Sequence, residues 1–446
     1  MKEYRKIVTF TYKKNKYNLY LDSNGKRFFL RVDDVGNLNY ISSEELCELL
    51  NLFIKNKEVK MINLEKTGLI PKILTGAGAV LLTSTLLMQF LPRGSKAPEI
   101  NDVSWSISED DVKKYISTYD ENEVSENYYY DSDFNCLYIY NNDYIDNVMD
   151  VDSVSLQDFK EVIDNNSGIS GIYKDLLYEY CERVVSVYPN ADLRVLYKNL
   201  QTLQIEECNQ NEMYEATSSV YCKGFYNTNK NKICVLEDNN YEKGSDEYQI
   251  LFHELSHALR NCSFELDDVD VRIQIENNFD NDITEEALDT LFAVSLLDYE
   301  ENEYGYQLQS NYYSILTECV DYDFTNYVNK PLSDFPNKLN EYNGDEKGTA
   351  ESVLELIKIQ YDAHHNSDIE VDNDEFNPII DYLCDMYFNK YITDDMSYEE
   401  ARIIAENLEE KIIRNTRGNY EIDVNRIYEN LDNYYNYDMN ISLKSL

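Results

Sequence analysis

Residues 250–260 read Ile250-Leu251-Phe252-His253-Glu254-Leu255-Ser256-His257-Ala258-Leu259-Arg260. Leu251, Leu255 and Ala258 fall at i, i+4 and i+7, the spacing of one apolar helix face. Asp246, with Gln249 three residues on, is a start signal, so the pattern predicts a helix over about 246–260. His253 and His257 are one turn apart on it, and their imidazoles point the same way. Two such rings can bind one zinc, and Glu254 then stands beside the open coordination position, where it can take a proton from water. The chain holds only 4 His, and two of them make this His-Glu-x-x-His pattern. The plainer alternative is two helix histidines with ordinary hydrogen bonds.

Working outward, a helix is predicted over 172–188. Short strands follow at Leu200 to Ile205, Ser219 to Tyr226 and Lys232 to Leu236. A second helix is predicted over 283–298, and 308–435 reads as nearly all helical, for example at 348–362, 397–415 and 420–433. Strands grouped apart from helices give an α+β fold. Nearer the N-terminus, Val8–Tyr12, Tyr17–Leu21 and Arg27–Val32 are β-rich runs separated by turn residues, followed by a helix from Ser43 to about Asn56.

A helix bearing His-Glu-x-x-His, preceded by a helix and a small sheet, resembles the zincin metallopeptidases over about residues 172–300. The resemblance implies a zincin-like catalytic domain with a mostly helical C-terminal lobe, a Zn2+ cofactor and a peptide or protein substrate. It also implies that an edge strand of the sheet holds the substrate. Lys232–Leu236 would be that strand, with Ile233 and Val235 as its substrate-binding residues. The metzincin pattern places its third His six residues after His257; Ser263 stands there, so metzincins are excluded. The gluzincin pattern, as in thermolysin-like enzymes, takes a Glu from a second helix, with an acidic residue four positions on. Glu285 and Asp289 fit it, Glu285 as ligand and Asp289 as the partner that orients a ligand His. The gap between His257 and Glu285 exceeds the thermolysin gap, which makes this a distant relative of the group. Glu286-Ala-Leu also resembles the thermolysin register, so Glu286 stays open as the ligand. For the oxyanion the related enzymes use a His or Tyr from the C-terminal lobe, which makes His364, His365 or a Tyr the candidates.

The chain has 446 residues with 40 Lys and Arg against 84 Asp and Glu, a net charge of −44. Such a field repels phosphate backbones, so general nucleic-acid binding is excluded. Residues 1–72 are different, with 14 Lys and Arg against 9 Asp and Glu. At the boundary, Ile73 to Leu91 carries no charge and lies between Pro71 and Pro92. A helix of that length spans about 28 Å, near a hydrocarbon core of roughly 30 Å. The reading is a single transmembrane helix within 70–92. The lysines that precede it place the N-terminus in the cytoplasm and the later residues outside. The expected organisation is a small α+β cytoplasmic module over 1–69, the span, an acidic Tyr-rich segment over 93–170 and the metallopeptidase domain over 171–446. No Cys-x-x-Cys pair occurs among the 9 Cys, so a thiolate zinc site is unsupported and disulfides stay open. The expected function is a membrane-anchored zinc metalloendopeptidase with Glu254 as general base. The rival is a non-catalytic extracytoplasmic sensor or adhesion ectodomain on the same scaffold.

Overall fold

The computed structural model describes residues 4–22, 27–33, 128–131, 136–139, 153–217, 222–237, 246–266, 269–275, 281–297, 307–345, 348–366, 368–416 and 422–444, with single positions at 36, 38, 39, 41, 45, 48, 49, 52, 145 and 149. The predicted helix at 43–56 lies largely outside these residues, and the predicted span at 73–91 entirely so.

Three sheets organise the described residues. The first holds β1 (Tyr4–Tyr12), β2 (Asn15–Asp22), β3 (Arg27–Val32) and β4 (Leu38–Asn39). A second is built from β5 (Tyr128–Asp131) and β6 (Cys136–Ile139). Helices α1 (Leu156–Asn165), α2 (Gly171–Val187) and α3 (Arg194–Thr202) come next. The third sheet contains β7 (Gln204–Cys208), β8 (Gly224–Asn227) and β9 (Lys232–Leu236), with α4 (Gln210–Thr217) between its first two strands. The His-Glu-x-x-His helix is α5 (Asp246–Leu259). A hairpin of β10 (Asn261–Leu266) and β11 (Val269–Gln274) follows, and β11 pairs with β6, so β5 and β6 complete that sheet. Then come α6 (Asp282–Ser295), α7 (Gln307–Cys319), α8 (Phe324–Asn329), α9 (Asp334–Asn343) and α10 (Thr349–His365). The short strand β12 (Ile369–Val371) precedes α11 (Asn377–Tyr391), α12 (Tyr398–Ile413) and α13 (Asn425–Lys444).

The third sheet has the order β7-β9-β8. β9 is therefore central, parallel to β7 and antiparallel to β8. This corrects the expectation that Lys232–Leu236 is the edge. Ile233 and Val235 are wholly buried, and both flanks of their backbone are paired. The composition carries the reason: Ile-Cys-Val-Leu suits a strand buried on both faces, whereas Gly-Phe-Tyr-Asn suits an edge.

β12 joins the first sheet, pairing antiparallel with β1 through Phe10–Val371, Thr11–Glu370 and Tyr12–Ile369. The apolar core runs without a break from Val8, Phe10 and Leu19 to Leu251, Leu255 and Leu288. This bears on the predicted fold class, which is corrected. The fold is α+β, but among the described residues no helix is long and apolar enough to cross a membrane. The longest, α13, carries Arg426, Glu429, Asp432 and Asp438 along its length. Geometry supplies a second reason. β1 pairs with β12 and bonds α10 through Arg5 and Thr349, and Arg27 of β3 is ion-paired with Glu355 of α10. A single crossing between them would put these partners on opposite faces of a bilayer.

Candidate functional site

α5 lies against the third sheet and buries Leu251, Phe252, Leu255 and Ala258. Phe252 meets Tyr180 of α2 edge to face at 5.1 Å. α6 packs beside it and buries Ile283, Ala287, Leu288, Phe292 and Ala293. Each such Leu or Phe contributes about 1.5–3 kcal/mol on burial, so the relative position of the two helices is held by an apolar seam. Polar residues occupy one end of that seam. His253, Glu254, His257 and Asp289 are all buried.

Three atoms converge there. His253 Nε2 lies 3.3 Å from His257 Nε2. Glu286 Oε2 lies 3.2 Å from the first and 3.9 Å from the second. Asp289 Oδ2 is 2.9 Å from His257 Nδ1, with Glu285 Oε1 at 3.4 Å from the same nitrogen. Thr290 Oγ1 is 3.3 Å from His253 Nδ1. Arg260, fully buried, holds the other oxygen of Asp289 at 3.4 Å and lies 4.2 Å from the Tyr327 ring.

Asp289 Oδ2 stands where it can accept from His257 Nδ1. The Thr290 hydroxyl donates to the Glu286 carbonyl at 2.9 Å, so its oxygen accepts from His253 Nδ1–H. Both Nε2 atoms face the Glu286 carboxylate, which favours a cation at that point, a proton on His253 or a metal ion between the three. Ligand atoms about 2.0–2.1 Å from a tetrahedral zinc are roughly 3.3 Å from one another; two of the separations, 3.2 and 3.3 Å, match that spacing and the third, 3.9 Å, is wider. Two imidazoles and a carboxylate are one donor set of catalytic zinc sites.

The charges around the pocket act in the same direction. Burial pulls His253 down, but its hydrogen bond with Glu286 and the neighbouring Glu254 carboxylate outweigh this and hold it above the ordinary imidazole range. Burial raises the Glu254 carboxyl above its ordinary value, opposed by His253 and His257 and reinforced by Glu286 and Asp289.

Of the residues named from sequence, His253, Glu254, His257, Glu285 and Asp289 come together here. Glu286 occupies the position facing both Nε2 atoms, and Glu285 faces Nδ1 of His257 instead. Ile233 and Val235 lie in the core behind α5. His364 and His365 are exposed in the last turn of α10, where His365 Nδ1 donates to the Tyr361 carbonyl at 2.8 Å; neither belongs to the cluster.

Thr290 and Arg260 were not selected from sequence as site residues. Thr290 was legible as the residue one turn beyond Glu286, and Arg260 as a lone cation at the end of an apolar helix. The edge strand beside α5, β8, was missed as well. Leu236 N donates to Lys223 O at 2.9 Å, so the next bonded pair is Phe225 with Cys234, and Gly224 and Tyr226 turn their backbone groups away from β9. Gly224 is also where β8 touches α5. A Cβ at this position would stand 2.6 Å from Ile250 Cγ2 and 3.5 Å from Glu254 Cγ. No model of a known protein family, no characterised protein and no solved structure matches this chain.

Proposed function

We propose that this chain is a zinc-dependent metallopeptidase, with His253, His257 and Glu286 as the metal-holding residues and Glu254 as general base. The observation that carries the reading is the convergence of two imidazole Nε2 atoms and one carboxylate oxygen within 3.2–3.9 Å of one another. Zinc bound there supplies a Lewis acid that polarises a carbonyl and acidifies water. Asp289, held by Arg260, orients His257, and Thr290 orients His253. Glu254 is one residue from His253 and buried against β8, where its carboxylate takes a proton from water and delivers it to the departing amine nitrogen.

β8 supports a peptide as substrate. Gly224 and Tyr226 present outward backbone groups beside Glu254, and an extended chain laid antiparallel along this edge would pair with them. This replaces Ile233 and Val235 as the substrate-contacting residues.

The test is metal content and turnover on the same preparation. The full chain, purified without chelators, is expected to carry close to one zinc and to cleave a mixed peptide library. Glu254→Gln should keep the zinc and lose about 10²–10⁴-fold in activity. A wild-type chain without metal would sink the reading. A chain with zinc but no hydrolysis of any peptide would favour the rival, a binding module on the same scaffold.

A further inference from the structure

The N-terminal sheet reaches the metal cluster through three buried charges. Arg27 on β3 grips Glu355 of α10 with two bonds, Nε to Oε1 at 2.5 Å and Nη2 to Oε2 at 2.6 Å, and both side chains are almost fully buried. One turn along α10, the buried Lys358 reaches Asp282 at 3.3 Å and Asp362 at 2.8 Å. Asp282 opens α6 and stands one turn before Glu286 in the same row of that helix. A second bond ties the same two helices, from Asn281 Nδ2 to the Leu354 carbonyl at 3.1 Å. Asn281 also caps α6, its side-chain oxygen accepting from Thr284 N. Helix α10 thus holds the N-terminal sheet through Glu355 and Thr349, and the start of the ligand helix through Leu354 and Lys358.

We propose that Arg27 is a positioning residue for the metal centre: by neutralising Glu355 it leaves Lys358, hydrogen-bonded to Asp362, free to ion-pair with Asp282, and that attraction sets α6 so that Glu286 meets His253 and His257. This rests on the metal site proposed above. Without Arg27, a buried carboxylate is left beside the lysine that pairs with Asp282. Lys358 is drawn to Glu355, Asp282 loses its partner, and the helix carrying Glu286 shifts. Residues 4–32 are on this account part of the metal-binding machinery, although they are far from it in sequence.

The experiment measures zinc affinity of the full chain by competition with a chromophoric chelator, alongside circular dichroism. Wild type and Glu286→Ala are run first. If wild type binds no zinc, the metal reading fails and this proposal fails with it. Arg27→Met is expected to weaken zinc binding by about 10–100-fold, the usual penalty for losing an outer support of a ligand. Arg27→Met/Glu355→Met removes both charges, returns Lys358 to Asp282, and is expected to recover affinity to within about threefold of wild type. A generally loosened fold would not show that recovery. Asp282→Asn cuts the same link on a partly exposed side chain, so it decides the matter should Arg27→Met not fold, and is expected to weaken zinc to a similar extent. Wild-type zinc affinity in folded Arg27→Met, unchanged affinity in Asp282→Asn, or a double variant as weak as the single one would each overturn the proposal while leaving the metal site standing.

Discussion

The four histidines fall into two pairs whose rings meet in nearly the same way. His253 and His257 have centroids 4.9 Å apart at 89°, and His364 and His365 have centroids 5.1 Å apart at 78°. Their surroundings differ in every respect that matters for chemistry. The first pair is buried between two helices, with acceptors on both Nδ1 atoms and a carboxylate on the Nε2 side. The second is exposed at a helix end, with a backbone carbonyl on His365 Nδ1. Ring proximity is therefore no sign of a site; the directed partners on the far nitrogens are. The charge balance separates them too. His253 is held above the ordinary imidazole range by neighbouring carboxylates despite burial. His364 is held below it, by its partial burial and by His365.

The largest expected effect breaks the first pair and leaves the second as control. His253→Ala or Glu286→Ala should weaken zinc by more than about 100-fold, beyond the range for outer supports. His364→Ala and His365→Ala should bind as wild type does. Thermal unfolding checks this independently. At free zinc 100 times Kd, binding stabilises a protein by about 2.7 kcal/mol. Chelator should then lower the wild-type midpoint and leave His253→Ala where it was. Equal loss of zinc in the His364 or His365 variants would erase the distinction between the pairs.

Next in size is the contrast between carboxylates on α6. Asp289→Ala should cost about 10–100-fold in zinc affinity, because it frees the His257 ring and leaves Arg260 buried beside an empty place. Glu285→Ala should change affinity by less than about threefold, since it shares Nδ1 with the closer Asp289 and is partly exposed. Isothermal competition titrations on the two variants give the comparison directly. A larger loss for Glu285 would put the ligand back one register.

That register shows what was legible and what was not. The helix at 246–260 and the second at 283–298 follow from period and capping, and α5 and α6 occupy 246–259 and 282–295. Asp289 could be picked out because a buried acid on an apolar helix needs a partner. Choosing Glu285 over Glu286 required the rotation of α6 about its axis, a tertiary quantity worth 100° per residue. By sequence spacing alone Asp289 joins the residue four before it. A helix face also includes the residue three before, and Glu286, Asp289 and Thr290 form that triangle. The strand order was hidden for a similar reason, since β8 and β9 differ only in how apolar they are. The docking of β1 on β12 and of Arg27 on Glu355 leaves no local pattern at all. Without those contacts, an uncharged run at 73–91 and a basic first 72 residues read as two compartments.

A smaller effect tests whether the β8 edge beside the buried pair takes part in binding. Gly224→Ala places a methyl 2.6 Å from Ile250 Cγ2, on a β-branched side chain close to its own backbone that cannot swing aside. β8 must move off α5, at a cost of about 1–3 kcal/mol, typical of overpacking. Zinc content should be unchanged, because no ligand sits on β8. The specificity constant for peptides should fall mainly through KM, measured by initial rates over a substrate series. A Gly224→Ala variant with wild-type KM would remove β8 from the substrate path.

The smallest effect belongs to the exposed pair and to pH. Partial burial, and then the charge of His365, lower the His364 pKa in the folded chain below its ordinary 6.5. The unfolded chain therefore binds the proton more readily, and stability rises with pH wherever it holds more protons. His364 contributes nothing adverse above about pH 6.5, and its cost appears as the pH falls from there through the lowered folded value. The ring lies largely in solvent, so the effect on stability is small and is best seen spectroscopically. Proton chemical shifts of the His364 ring, followed from pH 8 to pH 4, should show a midpoint below 6.5, and His365→Asn should move that midpoint upwards by removing the neighbouring charge. His253 and His257, with zinc bound, should show no titration over the same range, because a metal occupies the position a proton would take. A His364 midpoint at or above 6.5 would mean that the exposed pair, too, is held by carboxylates, and the contrast between the two pairs would rest on burial alone.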